Sequence, residues 1–512
     1  MPVRVRFAPS PTGWIHIGGM RTILFNYFLW QKEGGEFVLR IEDTDQKRAL
    51  KNGVEGIVET LQLFGIMPNE GYGLGGEFGP YIQSERLDIY KKHAEELIEK
   101  GHAYRCFCSS ERLTQLRESQ KAAKIKTQYD GHCRNLSAEE VKARLDAGES
   151  HVIRMKVTKG EVLEYEDLVY GKISFNTNDV EDQVLLKSDG YPTYHLAVVV
   201  DDHLMKINLI LRGEDWQSST PKQILLYRFF GWEMPKFAHV PNVLNPDKKG
   251  KLSKRKGDSA VIDFLRKGYT IEGLTNYLSL VGWNPDPKFS NDDEFYTRSF
   301  LVEHFEAGRI KRSNGAFDNQ KLMAINAMWL NKMSLVELEE KYNQWKNFVT
   351  SEYIIDEVRG EPEWLKDSRE RIKKMDIFMG SLDKDAKNKL FEILHERIKI
   401  FSDVWDWLAP VFPEHYVLDE DFSKLSEKIG FSKELSEEFM KMLFELTSWD
   451  QETWEPAIRA FADLKGLKHG DVFMLLRYIV TGKRVSLPLR EFMEIIGKEG
   501  VSSSFENFKK AV

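Results

Sequence analysis

Cysteine is scarce in this chain: three occur in 512 residues, at 106, 108 and 133. An odd number confined to so short a stretch argues against a disulfide framework and leaves reduced thiols or a metal site. Long apolar runs are missing too, and no stretch approaches the roughly 20 residues of a membrane span. Met1-Pro-Val-Arg4 opens directly on a strand pattern without a leader, so a cytoplasmic protein is expected. Positive charge is not in excess. A net charge of −7 disfavours nonspecific nucleic-acid binding by the whole molecule, but says little about one face of it. Local basic clusters do occur at Lys121, Lys124 and Lys126, from Lys248 to Lys256, and at Arg309, Lys311 and Arg312. Such clusters are most often solvated faces, and only other motifs raise them to a nucleic-acid footprint. No internal repeat or low-complexity tract stands out.

What is present is the composition of a globular protein, 42% apolar and 30% charged, in a chain too long for one ordinary core. The first hundred residues alternate strand signals (Val3–Phe7, Glu36–Ile41) with helix signals (Arg21–Gln31, Val54–Phe64, Arg86–Lys100), as a doubly wound parallel sheet requires. From about Tyr104 to Leu186 the pattern breaks into polar helices and short strands. Strand signals resume at Tyr194–Val200 and Ile207–Leu211, with a helix at Thr220–Phe230, so an insertion interrupting a nucleotide-binding fold is expected. Beyond about Met323 period-2 alternation almost disappears. Long helical segments such as Lys384–Trp407 and Ser432–Thr447 take over, as in two small bundles.

Two short stretches carry the chemistry. His16-Ile-Gly-Gly19 follows the first strand and opens a helix, a place where backbone N–H groups and the helix dipole favour phosphate. Lys251-Leu-Ser-Lys-Arg255 lies in a cationic loop whose lysines suit a polyphosphate as point charges. Isolated, either is weak: a loop histidine and a surface basic run are common. In this order they resemble the HIGH and KMSKS motifs of class I aminoacyl-tRNA synthetases.

Further stretches narrow the resemblance to bacterial-type glutamyl-tRNA synthetases over essentially the whole chain. They are Arg6-Phe-Ala-Pro-Ser-Pro-Thr-Gly13, Arg40-Ile-Glu-Asp-Thr-Asp45, Leu186 to His195, Asp201-Asp202, Arg212-Gly-Glu-Asp-Trp216 and Leu476 to Gly482. The resemblance implies an α/β class I fold, a Rossmann-type parallel sheet with an inserted acceptor-binding domain, followed by an all-α anticodon-binding region. Its segments would be 1–103 and 191–240 for the two halves of the catalytic domain, 104–190 for the insertion, 241–322 for a stem-contact domain and 323–512 for the helical region. It implies ATP, L-glutamate and tRNA(Glu) as substrates, Mg2+ with the ATP, and a monomer. His16, Gly18, Gly19, Lys251, Ser253, Lys254 and Arg255 would be catalytic, with His16, Gly18, Asp215, Trp216 and Lys254 on ATP. Arg6, Ala8, Ser10, Glu42, Tyr194 and Arg212 would form the glutamate pocket: Arg6 and Tyr194 on the side-chain carboxylate, Ser10 and Glu42 on the ammonium, Arg212 on the α-carboxylate, the two arginines being exchangeable. The competing reading of Arg6 is a strand charge paired with Asp43 or Asp45. Some relatives carry Asn four residues after the pocket tyrosine; this chain has Val198, which stays out of the set. Arg397 is the anticodon candidate.

Cys106-Phe-Cys108 and Tyr129-Asp-Gly-His-Cys133 resemble the zinc knuckle of some family members. The usual histidine two residues after the last cysteine is Asn135 here; in a truncated relative the tyrosine four residues before that cysteine is a ligand, and this resemblance implies Zn2+ on Cys106, Cys108, Cys133 and Tyr129, with His132 a weaker substitute and metal-free thiols the alternative. Other functions are less consistent with the chain. The glutaminyl enzymes usually carry a β-barrel anticodon domain, the truncated glutamyl-queuosine relatives lack the helical region, and a small-molecule nucleotidyltransferase has no use for the pocket set. A non-catalytic paralogue would not need His16, Lys251 and Lys254.

Overall fold

The computed structural model describes residues 2–47, 49–252 and 260–512. The chain divides into two compact units: Met1–Asp263, Leu274–Asn319 and Tyr353–Gly360 form one, and Phe264–Gly273, Gln320–Glu352 and Glu361–Val512 the other. The first is mixed α/β. Its strand Val3–Phe7 runs parallel to Gly35–Leu39 in the register Val3↔Gly35 to Phe7↔Leu39, and the apolar helix Ile17–Glu33 connects them. A second sheet has the order Gly171–Asn176, Val162–Asp167, Lys236–Val240, Leu209–Gly213. Its first pair is an antiparallel hairpin and its other pairings are parallel. The hairpin belongs to the 104–190 stretch, yet its edge continues the sheet that carries Arg212. The cysteine-bearing strand Ala103–Cys106 lies in a separate antiparallel sheet with Val152–Met155 and Val184–Leu186.

One expected strand is a helix. Tyr194–Leu204 is helical, and every residue from Leu196 to Asp202 is buried. A helix enclosed on all sides shows no polar face, so its Val198-Val-Val200 run mimics a strand by composition while burial decides the outcome. Val198 packs in this core with Tyr90, Leu97 and Leu226.

The second unit is helical, and among the described residues no strand follows Gly315–Ala316. The expected single helix Lys384–Trp407 is two, Lys384–His395 and Asp403–Leu408. The Asp403 carboxylate accepts the amides of Lys399 and Ile400 at 2.7 and 3.1 Å, a local side-chain bond that competes with the helix ladder and turns the chain. The core of this unit is built from Leu338, Tyr342, Leu390, Trp454, Leu476 and Phe492, with their neighbours. No described helix is long and apolar enough to cross a membrane.

Candidate active site

A cleft of about 570 Å³ in the α/β unit gathers the sequence-identified set. Arg6, Ala8, Ser10, His16, Gly18, Gly19, Glu42, Tyr194, Arg212, Asp215, Trp216 and Lys251 all line it. Ser253, Lys254 and Arg255 lie outside the described residues. Arg6 and Arg212 sit near the C-terminal ends of their strands and Glu42 lies just beyond its own, where open α/β sheets bind ligands.

His16 caps the helix Ile17–Glu33, its Nδ1 accepting the Gly18 amide at 3.1 Å. A backbone N–H only donates, so Nδ1 keeps its lone pair and the neutral ring carries its proton on Nε2. The first turn of the helix holds no acidic residue, leaving the positive end of its dipole toward the cleft uncompensated. A Cβ on Gly18 or Gly19 would meet protein only at 3.5 and 3.8 Å, ordinary contact distances. Protein packing therefore does not demand glycine at either position, and the missing side chains leave room in the cleft. Gly53 is the opposite case: a Cβ there would come 2.6 Å from the Pro11 carbonyl oxygen, so the Pro-Ser-Pro-Thr-Gly loop needs it.

Under the cleft lies a buried charge network. Arg40, fully buried, donates from Nη1 to Asp202 Oδ1 at 2.7 Å and from Nη2 to Glu42 Oε1 at 3.0 Å. Arg6 Nε meets the same Asp202 oxygen at 3.2 Å. The partner of Arg6 is therefore neither Asp43 nor Asp45 but Asp202, delivered by the helix that was expected as a strand. Asp201, its neighbour, accepts from Arg86 at 2.7 Å, Gln83 at 2.9 Å and Tyr90 at 2.8 Å. The two carboxylates beside Arg40 respond oppositely. Burial pushes Asp202 up, but Arg6 and Arg40 outweigh it and hold the group below the usual carboxylate range. For Glu42 burial outweighs Arg40 and Arg6, and its carboxyl is raised.

Arg212 is the more heavily engaged arginine. Its Nε donates to His239 Nε2 at 3.1 Å, and its Nη2 donates to Thr220 Oγ1 at 3.0 Å and Gln223 Oε1 at 2.8 Å. Its Nη1 has a longer 3.4 Å contact to the Tyr194 hydroxyl. Tyr194 stacks on Trp216 with ring centroids 4.1 Å apart. Asp215 pairs with Lys251 and accepts from Asn242 at 2.8 Å. Arg40, Asp202, His239 and Arg21 were not singled out in the sequence. Arg40 and Asp202 sit inside quoted motifs, but nothing in the chain says which charges are buried. Arg21, inside the first helix, donates to the carbonyls of Val281 and Pro241, and burial lowers it to about 10.

Away from the cleft, the three cysteine sulfurs lie within 4.8 Å of one another. The Tyr129 hydroxyl completes the group, 3.3 Å from Cys106 Sγ and 3.6 Å from Cys108 Sγ, and accepts the Cys133 amide at 2.9 Å. Three sulfurs and a phenol oxygen converging at these distances fit a four-coordinate zinc. His132 is exposed and outside the cluster. Arg397 follows the helix Lys384–His395, donating to the Ile393 carbonyl at 2.8 Å beside Glu396.

Residues 2–324 match the family model of the catalytic domain of class I tRNA synthetases (E and Q), and residues 354–506 match an anticodon binding domain. The chain is 40% identical over 518 residues to a glutamate–tRNA ligase of Alkaliphilus metalliredigens, covering 99% of each. It is 39% identical to that of Clostridioides difficile, covering 98% of this chain and 97% of the relative. Among solved structures it is similar to the glutamate-tRNA synthetase of Elizabethkingia anophelis, with a TM-score of 0.81, 31% identity and full coverage of both chains.

Proposed function

Since the chain belongs to the class I tRNA synthetases of the E and Q family, we propose that its cleft performs the ATP-dependent attachment of L-glutamate to tRNA(Glu). Glutamyl-adenylate is the intermediate, and AMP and diphosphate are released. The observation that carries the choice of amino acid is two buried guanidiniums, Arg6 and Arg212, lining one cleft with the Glu42 carboxylate. A substrate with two carboxylates and one ammonium matches that set charge for charge. Glutamine would leave one guanidinium against a neutral amide. Arg6 and Tyr194 take the side-chain carboxylate, Arg212 the α-carboxylate, and Ser10 and Glu42 the ammonium, with Ala8 flooring the site.

The reaction asks little covalent chemistry of the protein. The substrate α-carboxylate attacks the α-phosphate and diphosphate leaves; a ribose hydroxyl of the tRNA terminus then attacks the adenylate carbonyl and AMP leaves. Positioning and charge stabilisation do the work. His16 donates its Nε2 proton to phosphate, and Gly18 and Gly19 admit the nucleotide close to the backbone. Lys251, paired with Asp215 in the free enzyme, and Lys254 neutralise the leaving diphosphate, with Ser253 and Arg255 in the same motif. Asp215 and Trp216 border the nucleotide. Mg2+ brought in with the ATP would neutralise phosphate charge when bound; Glu42 and Asp215 are already paired with Arg40 and Lys251.

Zinc held by Cys106, Cys108, Cys133 and Tyr129 would cross-link the strand Ala103–Cys106 to the loop that follows the helix Ser110–Ala122. One metal per chain, lost in Cys106→Ser, is the expected elemental analysis; metal-free protein prepared without chelator rejects it. The helical region reads the anticodon, with Arg397 as a contact. Charging of purified tRNA(Glu) with glutamate but not glutamine tests the function, and equal use of the two amino acids would overturn the arginine argument.

A further inference from the structure

Behind the cleft, three neighbouring strands carry a polar chain of which the reaction just described uses only Arg212. Asp167 ends the strand Val162–Asp167, His239 lies on Lys236–Val240 and Arg212 on Leu209–Gly213. In the parallel register His239 stands opposite Arg212, and Phe237, two residues before it on the same face, opposite Asp167. Asp167 is 1% exposed and His239 fully buried. The Asp167 Oδ1 accepts the amides of Val169 and Tyr170, each at 2.9 Å. Its Oδ2 meets the His239 backbone N–H at 3.2 Å and ring Nδ1 at 2.6 Å. The other ring nitrogen, Nε2, faces Arg212 Nε at 3.1 Å.

Donor and acceptor rules place the ring hydrogen in one way. A guanidinium only donates, so His239 Nε2 must present its lone pair. The ring hydrogen is then on Nδ1 and goes to Asp167. Thr220 Oγ1 accepts Arg212 Nη2 at 3.0 Å and lies 3.2 Å from both the Trp216 carbonyl and His239 Nε2, so its one hydrogen can go to either acceptor without a proton on Nε2. Burial keeps His239 below its ordinary value, hence neutral, as this pattern requires. With Nε and Nη2 engaged, Nη1 is the edge of Arg212 left for a substrate carboxylate.

We propose that Asp167 and His239 are positioning residues: one fixed imidazole tautomer holds the Arg212 guanidinium in the orientation that receives a carboxylate of the amino acid. This rests on the reading of Arg212 as a glutamate contact. Two substitutions separate the halves of the imidazole. His239→Asn can still donate toward Asp167 but leaves Arg212 Nε without its acceptor. His239→Gln restores an oxygen acceptor near the position of Nε2. In charging assays with the full chain, ATP and tRNA(Glu), the KM for glutamate should rise about tenfold or more in His239→Asn and within about threefold in His239→Gln, with the KM for ATP unchanged in both. Equal rises in the two variants, or a matching rise for ATP, would reduce the pair to packing and overturn the proposal. Should His239→Asn fail to fold, the native protein still decides. The nitrogen-15 shifts of His239, identified by the signal lost in His239→Gln, should show a protonated Nδ1 and bare Nε2; a protonated Nε2 overturns the relay. Arg212→Gln is the control: an unchanged glutamate KM there discards the contact itself, whereas a raised one with the two His239 variants alike discards only the relay.

Discussion

In the α/β unit Arg6, Arg40, Arg86, Asp201, Asp202 and Arg212 are all buried, whereas in the helical unit Arg266 is the one buried charge among the described residues. The helical core is otherwise Leu, Ile, Val, Met, Ala and aromatic side chains, with a few uncharged polar residues such as Asn326 and Ser436. A buried ion costs several kcal/mol in lost hydration, and even a good pair roughly breaks even against an apolar filling. Stability alone therefore favours the kind of core the helical unit has. On the proposed reading, the buried charges of the α/β unit fix the orientations of Arg6 and Glu42, through Asp202 and Arg40, before any substrate arrives. The contrast lies between the units: the α/β unit buries charges beneath the cleft and also at Glu70, Arg154 and Asp182, which do not line it, while the helical unit buries almost none.

Removing the shared anion should give the largest effect. Asp202→Leu leaves Arg6 and Arg40 with a counter-charge missing, a loss of about 3–5 kcal/mol of unfolding free energy. Urea unfolding measures it, and a variant as stable as the parent would break the contrast between the units. The pH dependence has a definite sign. Asp202 is held below the usual carboxylate range by Arg6 and Arg40 against the opposing push of burial, so its contribution is present above the unfolded value and is lost as pH falls through the lowered folded one. The gap between parent and variant should therefore persist at neutral pH and narrow only in strong acid.

Next in size is Arg6→Gln, which removes one guanidinium from the cleft while leaving Asp202 paired to Arg40. Losing a charge-assisted bond costs about 1.5–3 kcal/mol, at least tenfold in kcat/KM for glutamate. An unchanged value would take Arg6 out of the pocket and leave its burial without a function.

The same contrast explains what could be read from the chain. The helical unit announces itself through periodicity, because each helix has one apolar face and one wet one. The interruption after His395 escapes that reading, since it depends on a single carboxylate, Asp403, reaching two amides. The cleft was legible through short motifs whose residue types serve phosphate and carboxylate, and His16, Glu42, Tyr194 and Arg212 are indeed brought together. Their support was not. Asp202 reaches Arg6 across 196 positions of sequence, on a helix so enclosed that it imitates a strand. Asp167 and His239 meet only because two distant strands are neighbours, and neither sits in a pattern that marks it.

A much smaller change should sharpen the comparison from the other side. Ile458→Val deletes one methylene from a fully buried position in the helical core. The expected loss is about 0.5–1.5 kcal/mol in urea unfolding, with the KM values for glutamate and ATP unmoved. A shifted glutamate KM would show that the apolar unit also tunes the cleft, and the separation drawn above would fail.

The subtlest expected effect is a pH dependence confined to the amino acid. Burial raises the Glu42 carboxyl despite Arg40 and Arg6, the reverse of Asp202 in the same network. A raised folded value means that the ionised group is disfavoured in the native state, so its contribution to stability improves as pH falls through that value and is lost as pH rises through it. Binding runs the other way. On the proposed reading the substrate ammonium pairs with the ionised carboxylate, and protonation below the raised value removes that partner, while the ATP contacts assigned to His16 and the helix terminus do not involve Glu42. Glutamate KM should therefore climb on acidification at a pH above the ordinary carboxylate range, with ATP KM flat across the same interval. Glu42→Gln should abolish that climb and leave KM high at every pH. If the variant kept the slope of the parent, the titrating group would be another residue, and Glu42 would be a structural partner of Arg40 alone.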